Sequence, residues 1–341
     1  MRPLRIASVL ALLTATLSTT ATATAATSPP ASPQAQTTAA APAASADFDL
    51  QVTRKAAEYK DIPGTELTFA ATAGERSYLW SRNLSVTNVT PLSSGDNIGN
   101  TFAVRCRYAD GSALPAGTEA GSYWAANLVP PGETSLVPSV RWVFEAPTAG
   151  QYRCRLSIVS YSSIIVNGRT VTMRVPAGAE LARAQYATNA RWTLPEANST
   201  VVPTGVTATT LGYTVTPTGP DRIAVLQDAA LTACVPGSTI CGGGTSTSTS
   251  VETWIEAQPQ TADGVACGTP VKGPVAQWVI SNAKHHLSAA NTLYLTKSQL
   301  RGCDRFRASL KVRNIAGNPV KVHGGHADGE IAATHGLAFT Y

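Results

Sequence analysis

Two stretches of strict alternation constrain this chain more than any other feature. Thr101 to Asp110 reads Thr-Phe-Ala-Val-Arg-Cys-Arg-Tyr-Ala-Asp, and Gln151 to Val159 reads Gln-Tyr-Arg-Cys-Arg-Leu-Ser-Ile-Val. Phe102, Val104, Cys106 and Tyr108 share one parity in the first stretch, and Tyr152, Cys154, Leu156 and Ile158 share one in the second. A period of two puts each set on one face of a strand and leaves the intervening residues on the other, wet face. Both strands centre an inward Cys between two outward arginines, Arg105-Cys106-Arg107 and Arg153-Cys154-Arg155. The second strand is preceded by Arg141-Trp-Val-Phe-Glu, with Pro147 and Gly150 as turn residues between the two runs. The arginines form a basic patch only if the two strands share a sheet; ordinary wet strand faces are the expectation.

Cysteine usage places these strands outside the reducing cytosol. The six cysteines, Cys106, Cys154, Cys234, Cys241, Cys267 and Cys303, suit three disulfides in an exported chain. Of about 15 connectivities open to six cysteines, sequential pairing is the simplest: Cys106–Cys154, Cys234–Cys241 and Cys267–Cys303. Closing those loops stabilises by ~4, ~2 and ~4 kcal/mol in turn. A zinc or redox site would need Cys-x-x-Cys spacing, which does not occur. Export agrees with the start of the chain. A basic Met1–Arg5, an apolar Ile6–Leu17 and small residues near Ala25 give the three-part pattern of a signal peptide over 1–26. The apolar run is shorter than the ~20 residues that span a bilayer. Residues 27–47, almost wholly Ala, Pro, Ser, Thr and Gln, read as a disordered linker. Loss of Arg2 and Arg5 with the leader lowers the formal net charge of +5 by two. Such a balance argues against a nucleic-acid partner held by charge, and no later segment suggests membrane attachment.

The remaining residues are rich in Thr, Val, Gly and Pro, with 14% charged residues overall and no long helical periodicity. The expected fold is all-β, with two disulfide-bonded antiparallel β-sandwich domains over 48–219 and 220–341. Asp110-Gly111, Asp263-Gly264 and Asp328-Gly329 are turn signals, and Ile164-Ile-Val before Asn167-Gly168 predicts a hairpin with Thr170–Val175. Gly178 to Ala190 is the one segment that predicts a short helix.

Ala149-Gly-Gln-Tyr152-Arg-Cys154 resembles the tyrosine corner of immunoglobulin-like sandwiches, where a Tyr stands two residues before the second Cys. By that resemblance Cys106 is the partner Cys, and Trp124 or Trp142 the core Trp. Ala149 replaces the usual acidic residue, and Cys106 to Trp124 is long for that fold. Phe144-Glu-Ala-Pro-Thr-Ala-Gly-Gln-Tyr is equally similar to jelly-roll modules, carbohydrate-binding ones among them. The resemblance implies a sandwich, and no particular function.

Candidate binding residues fall in two places. Tyr123 and Trp124, in a loop-like context, present aromatic faces for a sugar or peptide, with a core role as the alternative. Asp304 to Asn314 alternates Phe306, Ala308, Leu310 and Val312 inward with Arg305, Arg307, Lys311 and Arg313 outward, a basic stripe fit for an acidic glycan or wall polymer, or a charge-protected edge strand. By the same parity Cys303 points outward. All five histidines follow residue 284. His323-Gly-Gly-His326-Ala-Asp328 groups a candidate Zn or Cu ligand set on a turn, although its spacing matches no defined motif. No nucleophile elbow or His-Glu-x-x-His helix is present. The sequence therefore reads as a secreted, non-enzymatic binding or structural protein of the cell exterior, contacting carbohydrate or surface polymers. The alternative is an extracellular hydrolase or metal enzyme using those histidines.

Overall fold

A computed structural model describes residues 38–40, 43–52, 58–128, 135–164, 168–185, 191–193, 199–233, 244–281, 284, 286–324 and 333–341. Those residues are built almost wholly from antiparallel strands. The first half runs β1 (Thr38–Ala40), β2 (Phe48–Val52), β3 (Lys60–Asp61), β4 (Leu67–Ala71), β5 (Arg76–Arg82), β6 (Val86–Asn88) and β7 (Asn97–Tyr108). It continues with β8 (Ala120–Leu128), β9 (Ser135–Leu136), β10 (Arg141–Glu145), β11 (Gly150–Ile164), β12 (Val171–Val175) and β13 (Glu180–Gln185). The second half runs β14 (Arg191–Thr193), β15 (Thr200–Val202), β16 (Thr207–Val215), β17 (Arg222–Ala233), β18 (Ser248–Gln260) and β19 (Val271–Lys272). It ends with β20 (Ala276–Ser281), β21 (His286–Thr296), β22 (Arg305–Ala316), β23 (Val320–Val322) and β24 (His335–Thr340).

In the first half, sheet A has the order β1-β13-β5-β10 and sheet B the order β2-β12-β6-β9. Sheet C has the order β3-β11-β7-β8, with β4 also on β11. Inward residues of all three sheets form one core, including Leu79, Phe144, Met173, Phe102, Tyr152 and Leu156. In the second half, sheet D (β14-β24-β17-β23-β15, with β21 beside β17) faces sheet E (β16-β22-β18-β19, with β20 beside β18). The sandwich expectation holds, and Ala35–Tyr341 forms one compact unit.

The paired alternating strands are neighbours. β7 and β11 pair with Cys106 opposite Cys154, Arg105 opposite Arg155 and Arg107 opposite Arg153. The Cys106–Cys154 disulfide forms between strands of one sheet, with Cα atoms 4.1 Å apart. That departs from the immunoglobulin pattern, in which the bond crosses between sheets. The corner itself is built as the sequence suggests. β10 lies in sheet A and β11 in sheet C, so the Pro147–Gly150 turn arches from one sheet to the other. The fully buried Tyr152 returns its hydroxyl to the Thr148 carbonyl. Phe144 packs edge-on against Tyr152 at 5.0 Å and against Phe69 at 5.8 Å, and Trp142 takes the buried position beside it. Cys267–Cys303 also forms; Cys234 and Cys241 lie outside the described residues.

Several expectations change. Part of the 27–47 linker is ordered: β1 pairs with β13, and Ala44 is buried, exchanging backbone hydrogen bonds with Gly178 and Ala179. Pairing at an open strand edge uses only backbone groups, so a composition poor in large apolar side chains does not prevent it. Glu180–Gln185, in the expected helix, is a strand, because Leu181, Ala182 and Ala184 bury against sheet neighbours. The expected hairpin around Asn167-Gly168 falls partly on residues 165–167, which lie outside the described residues; among the described residues β12 bonds to β2 and β6. Turn residues alone do not name the partner of the outgoing strand, which depends on how the sheet closes. β13 is the last strand to pair within sheets A to C, and β14 pairs with β24 of sheet D. The Thr-rich β16 belongs to sheet E because Leu211 and Val215 reach its buried face. Finally, Cys303 packs against the interior cluster rather than outward; it precedes β22, where strand parity does not yet apply.

Candidate functional site

The outer face of sheet D gathers most of the chemistry-bearing side chains of the second half. Along β17, Ile223, Val225, Ala229 and Leu231 enter the sandwich interior, so the opposite parity faces away from it. That opposite face, Ala224, Leu226, Asp228, Ala230 and Thr232, is buried as well. Sheet A lies against it: Val143 and Tyr78 pack with Ala224, Leu226, Leu337 and Phe339. Burial on both faces accounts for the almost continuous apolar reading of Ile223–Ala233. Tyr78 and Trp80 stack at 5.0 Å, with Phe339 against Tyr78 and the Arg82 guanidinium over Trp80. Their ring faces are thus occupied by protein, and the column joins the two halves.

A buried ion pair crosses the same seam. Arg141 stands beside Trp80 across the β5–β10 ladder and reaches out of the first half. Its guanidinium bonds both oxygens of Asp228, donates to Thr292 Oγ1 at 2.7 Å and donates to the Asn291 carbonyl at 3.0 Å. The two side chains are only 10% and 5% exposed. His335 Nε2 lies 3.3 Å from Asp228 Oδ2, and its Nδ1 lies 3.1 Å from the Ala333 carbonyl. Burial pushes the Asp228 carboxyl up, but the Arg141 charge and the His335 contact outweigh it and hold it below the usual carboxylate range.

At one end of this face, Thr232 Oγ1 lies 2.6 Å from His286 Nδ1 and 2.6 Å from His323 Nε2. The hydroxyl carries one proton and two lone pairs, so it can donate to only one of the two rings and accepts from any ring nitrogen that carries a proton. His323 is buried, and its backbone N–H bonds the Ala230 carbonyl. Of the expected metal set only His323 is described; His326 and Asp328 lie outside the described residues. Among the described residues no cluster of three or more His, Cys, Asp or Glu side chains is placed to hold a metal ion.

The other expected site residues are dispersed. Tyr123 and Trp124 lie in β8, a strand rather than a loop, paired to β7 with Trp124 opposite Phe102; their side chains are outside the described residues. The β22 alternation is as expected: Phe306, Ala308, Leu310 and Val312 are buried. However, β22 is not an edge strand, being hydrogen-bonded by β16 on one side and β18 on the other. Its cations are interleaved with acids of β18. Lys311 meets Glu256 at 3.5 Å and Thr209 at 2.7 Å, Arg313 meets Glu252 at 3.6 Å, and Arg307 lies across Gly212. Arg305 approaches Gly264 of the neighbouring turn. Partly exposed pairs of this kind contribute about 0–1 kcal/mol each, so they position side chains more than they stabilise.

Arg141, Asp228, Thr232 and the pairing of His286 with His323 were not singled out by the sequence. The available signal was Asp228, a lone carboxylate inside the apolar run Ile223–Ala233, which demands a partner when buried. Nothing in the sequence names that partner, because Arg141 is 87 residues away.

No family model matches the chain, and no curated protein matches it. Among solved structures, PNGase F, a glycosylasparaginase from Flavobacterium meningosepticum, is 11% identical at a TM-score of 0.36, covering 86% of this chain and 96% of that one. The N-terminal CBM22-1–CBM22-2 tandem domain of Paenibacillus barcinonensis Xyn10C is 8% identical at a TM-score of 0.23, covering 88% and 92%. The structure of the infectious bursal disease virus Gt strain is 9% identical at a TM-score of 0.28, covering 87% and 77%. Similarity at these values assigns neither a family nor an activity.

Proposed function

We propose that this chain is a secreted, non-catalytic β-sandwich protein that binds or braces carbohydrate or other surface polymers outside the producing cell. The observation that supports this reading is how the buried acid and base groups of the second half are engaged. Asp228 is taken by Arg141 and His335, and His323 and His286 converge on one threonine hydroxyl. A general acid or base must reach a substrate proton, whereas these groups join strands and halves to one another. Export is supported by the basic-apolar-small leader and by two disulfides among the described residues. No helix among the described residues is long and apolar enough to cross a membrane.

A glycan array run beside a broad hydrolase screen tests the proposal. Retention on one glycan class without turnover is the expected result. Saturable turnover that disappears in His323→Ala, with the fold intact by circular dichroism, overturns it in favour of the hydrolase or metal-enzyme alternative. Mass spectrometry of secreted material is expected to show a new N-terminus near Ala26–Thr27; an uncleaved leader on cell-associated protein refutes release.

A further inference from the structure

The apolar residues of β17 do little to fix its alignment. Ile223, Val225, Ala229 and Leu231 enter the sandwich, while Ala224, Leu226 and Ala230 point the other way and are buried too. Sliding a half-wet strand exposes apolar side chains, and that penalty sets its pairing. A strand that is apolar on both faces escapes most of the penalty. Ahead of Thr232, only Gln227 and Asp228 interrupt the run Ile223–Ala233, one on each face, and both are buried.

Gln227 belongs to a polar layer that crosses the interior between sheets D and E. Tyr213 of β16, Gln227 of β17, Thr253 of β18 and Asn291 of β21 each stand between a residue of one apolar cluster and a residue of the next. Thr253 Oγ1 donates to Asn291 Oδ1 at 2.7 Å, a bond from sheet E to sheet D, and accepts from Trp278 Nε1 at 2.8 Å. Asn291 stands opposite Gln227 on one side, and Gly336 of β24 stands opposite it on the other. The absent side chain at Gly336 leaves room for the Tyr213 ring, whose hydroxyl faces the Gln227 carboxamide. The same rung reaches the seam, because the Asn291 backbone carbonyl accepts from the Arg141 guanidinium that holds Asp228.

We propose that this polar layer is a register lock, holding β17 at the alignment with β21 that presents Asp228 to Arg141. A slip of one residue would carry Asp228 into the interior and Gln227 to the seam. A slip of two residues keeps every side chain on its own face, so apolar burial does not oppose it. It would set Gln227 against Ala289 or Leu293 in place of Asn291. It would also move Asp228 by roughly 7 Å along the strand, away from the guanidinium. A buried polar position in an apolar interface costs stability and specifies alignment, as one Asn does in a coiled coil. The lock acts whatever ligand the chain takes.

The test compares the full secreted chain, isotope-labelled for NMR, with Q227L/T253V/N291L, in which the layer is apolar. Cross-strand nuclear Overhauser contacts read the register. The unsubstituted protein is expected to show only the present pairs, Val225 with Leu293 and Ala229 with Ala289. The variant is expected to keep its β-sheet circular dichroism and to add a second set of contacts, displaced by two residues, in at least a tenth of the molecules. A single unshifted set in the folded variant overturns the lock. If the triple variant does not fold, Q227L alone decides the matter by hydrogen exchange. Its β17 amides are expected to exchange at least tenfold faster than those of the unsubstituted protein, with no fall in the urea midpoint. Unchanged or slower exchange overturns the proposal.

Discussion

Replacing Arg141 with Ala tests the seam between the two halves. The substitution removes a guanidinium that is 10% exposed, leaves Asp228 buried beside it, and strips donors from Thr292 Oγ1 and the Asn291 carbonyl. Breaking one member of a buried pair costs about 3–5 kcal/mol, because the remaining charge keeps its desolvation penalty. His335 still approaches Asp228, so the lower end, about 3 kcal/mol, is expected. In R141A/D228N no orphaned charge remains, and the double variant should lose at least about 1 kcal/mol less than the two singles added together. Urea unfolding at pH 7, followed by fluorescence and circular dichroism, measures both quantities. A loss below about 1 kcal/mol for R141A, or simple additivity in the cycle, refutes the claim that this pair latches the halves.

The same site fixes a pH dependence. Asp228 is held below its ordinary range in the folded chain, with Arg141 and His335 outweighing the opposing effect of burial. The unfolded carboxyl takes up its proton near pH ~3.9, before the folded one does. The stabilisation is therefore fully present above that pH and is lost as pH falls through the lower folded value. In R141A the largest lowering influence is removed while the His335 contact remains, and burial, the largest single effect, is expected to push the carboxyl up. Stability should then be greater below pH ~4 and should be lost as pH rises through the raised folded value. Urea midpoints from pH 3 to 6 would show this reversal, and parallel profiles for the two proteins would contradict it.

Gln227 is fully buried, and its carboxamide faces the Tyr213 hydroxyl without a hydrogen bond of good geometry between them. Gln227→Leu is expected to raise stability by about 1 kcal/mol in urea titrations, and a loss of that size would show that the amide is satisfied. A Cβ on Gly336 would stand 2.7 Å from a Tyr213 ring carbon and 2.9 Å from a Leu211 methyl. Gly336→Ala should therefore cost about 1–3 kcal/mol, seen as a lower thermal midpoint, whereas an unchanged midpoint would mean that the sheets part freely there. Cys106→Ala/Cys154→Ala opens a 48-residue loop and is expected to cost ~4 kcal/mol in chain entropy; a loss under ~1 kcal/mol would show that the strand ladder alone holds the register.

The inward residues of β7, β11 and β22 were legible in the sequence because alternation is a local property, fixed by the pleat before any partner is known; the opposite face was legible only at the arginines and lysine, since Ala103 and Ser157, expected to be wet, are buried. The Tyr152 corner was legible for a similar reason: its hydroxyl returns to Thr148, four residues away. Strand partners were not. Nothing local to β12 announced that it bonds strands more than 80 residues earlier. The β22 stripe had the composition of a protected edge, but which strand lies beside it depends on how the sheet closes. The histidines were visible as a group, while Thr232 between His286 and His323 was not, since a lone threonine in an apolar strand carries no signal of its own.

The sequence by itself determined an all-β chain with inward and outward residues assigned along its main strands and cysteines placed for cross-linking. Sequential pairing, one of several connectivities it allowed, is formed at Cys106–Cys154 and Cys267–Cys303. The tertiary structure decided that the two Arg-Cys-Arg strands lie side by side, which turns four separate arginines into a ladder braced by Asp61 and Glu66. It also decided that Asp228 meets Arg141 across the seam. The physical reason is common to both: periodicity records which way a side chain points, but the charge that faces it belongs to residues distant in the chain, chosen only when sheets pair and pack.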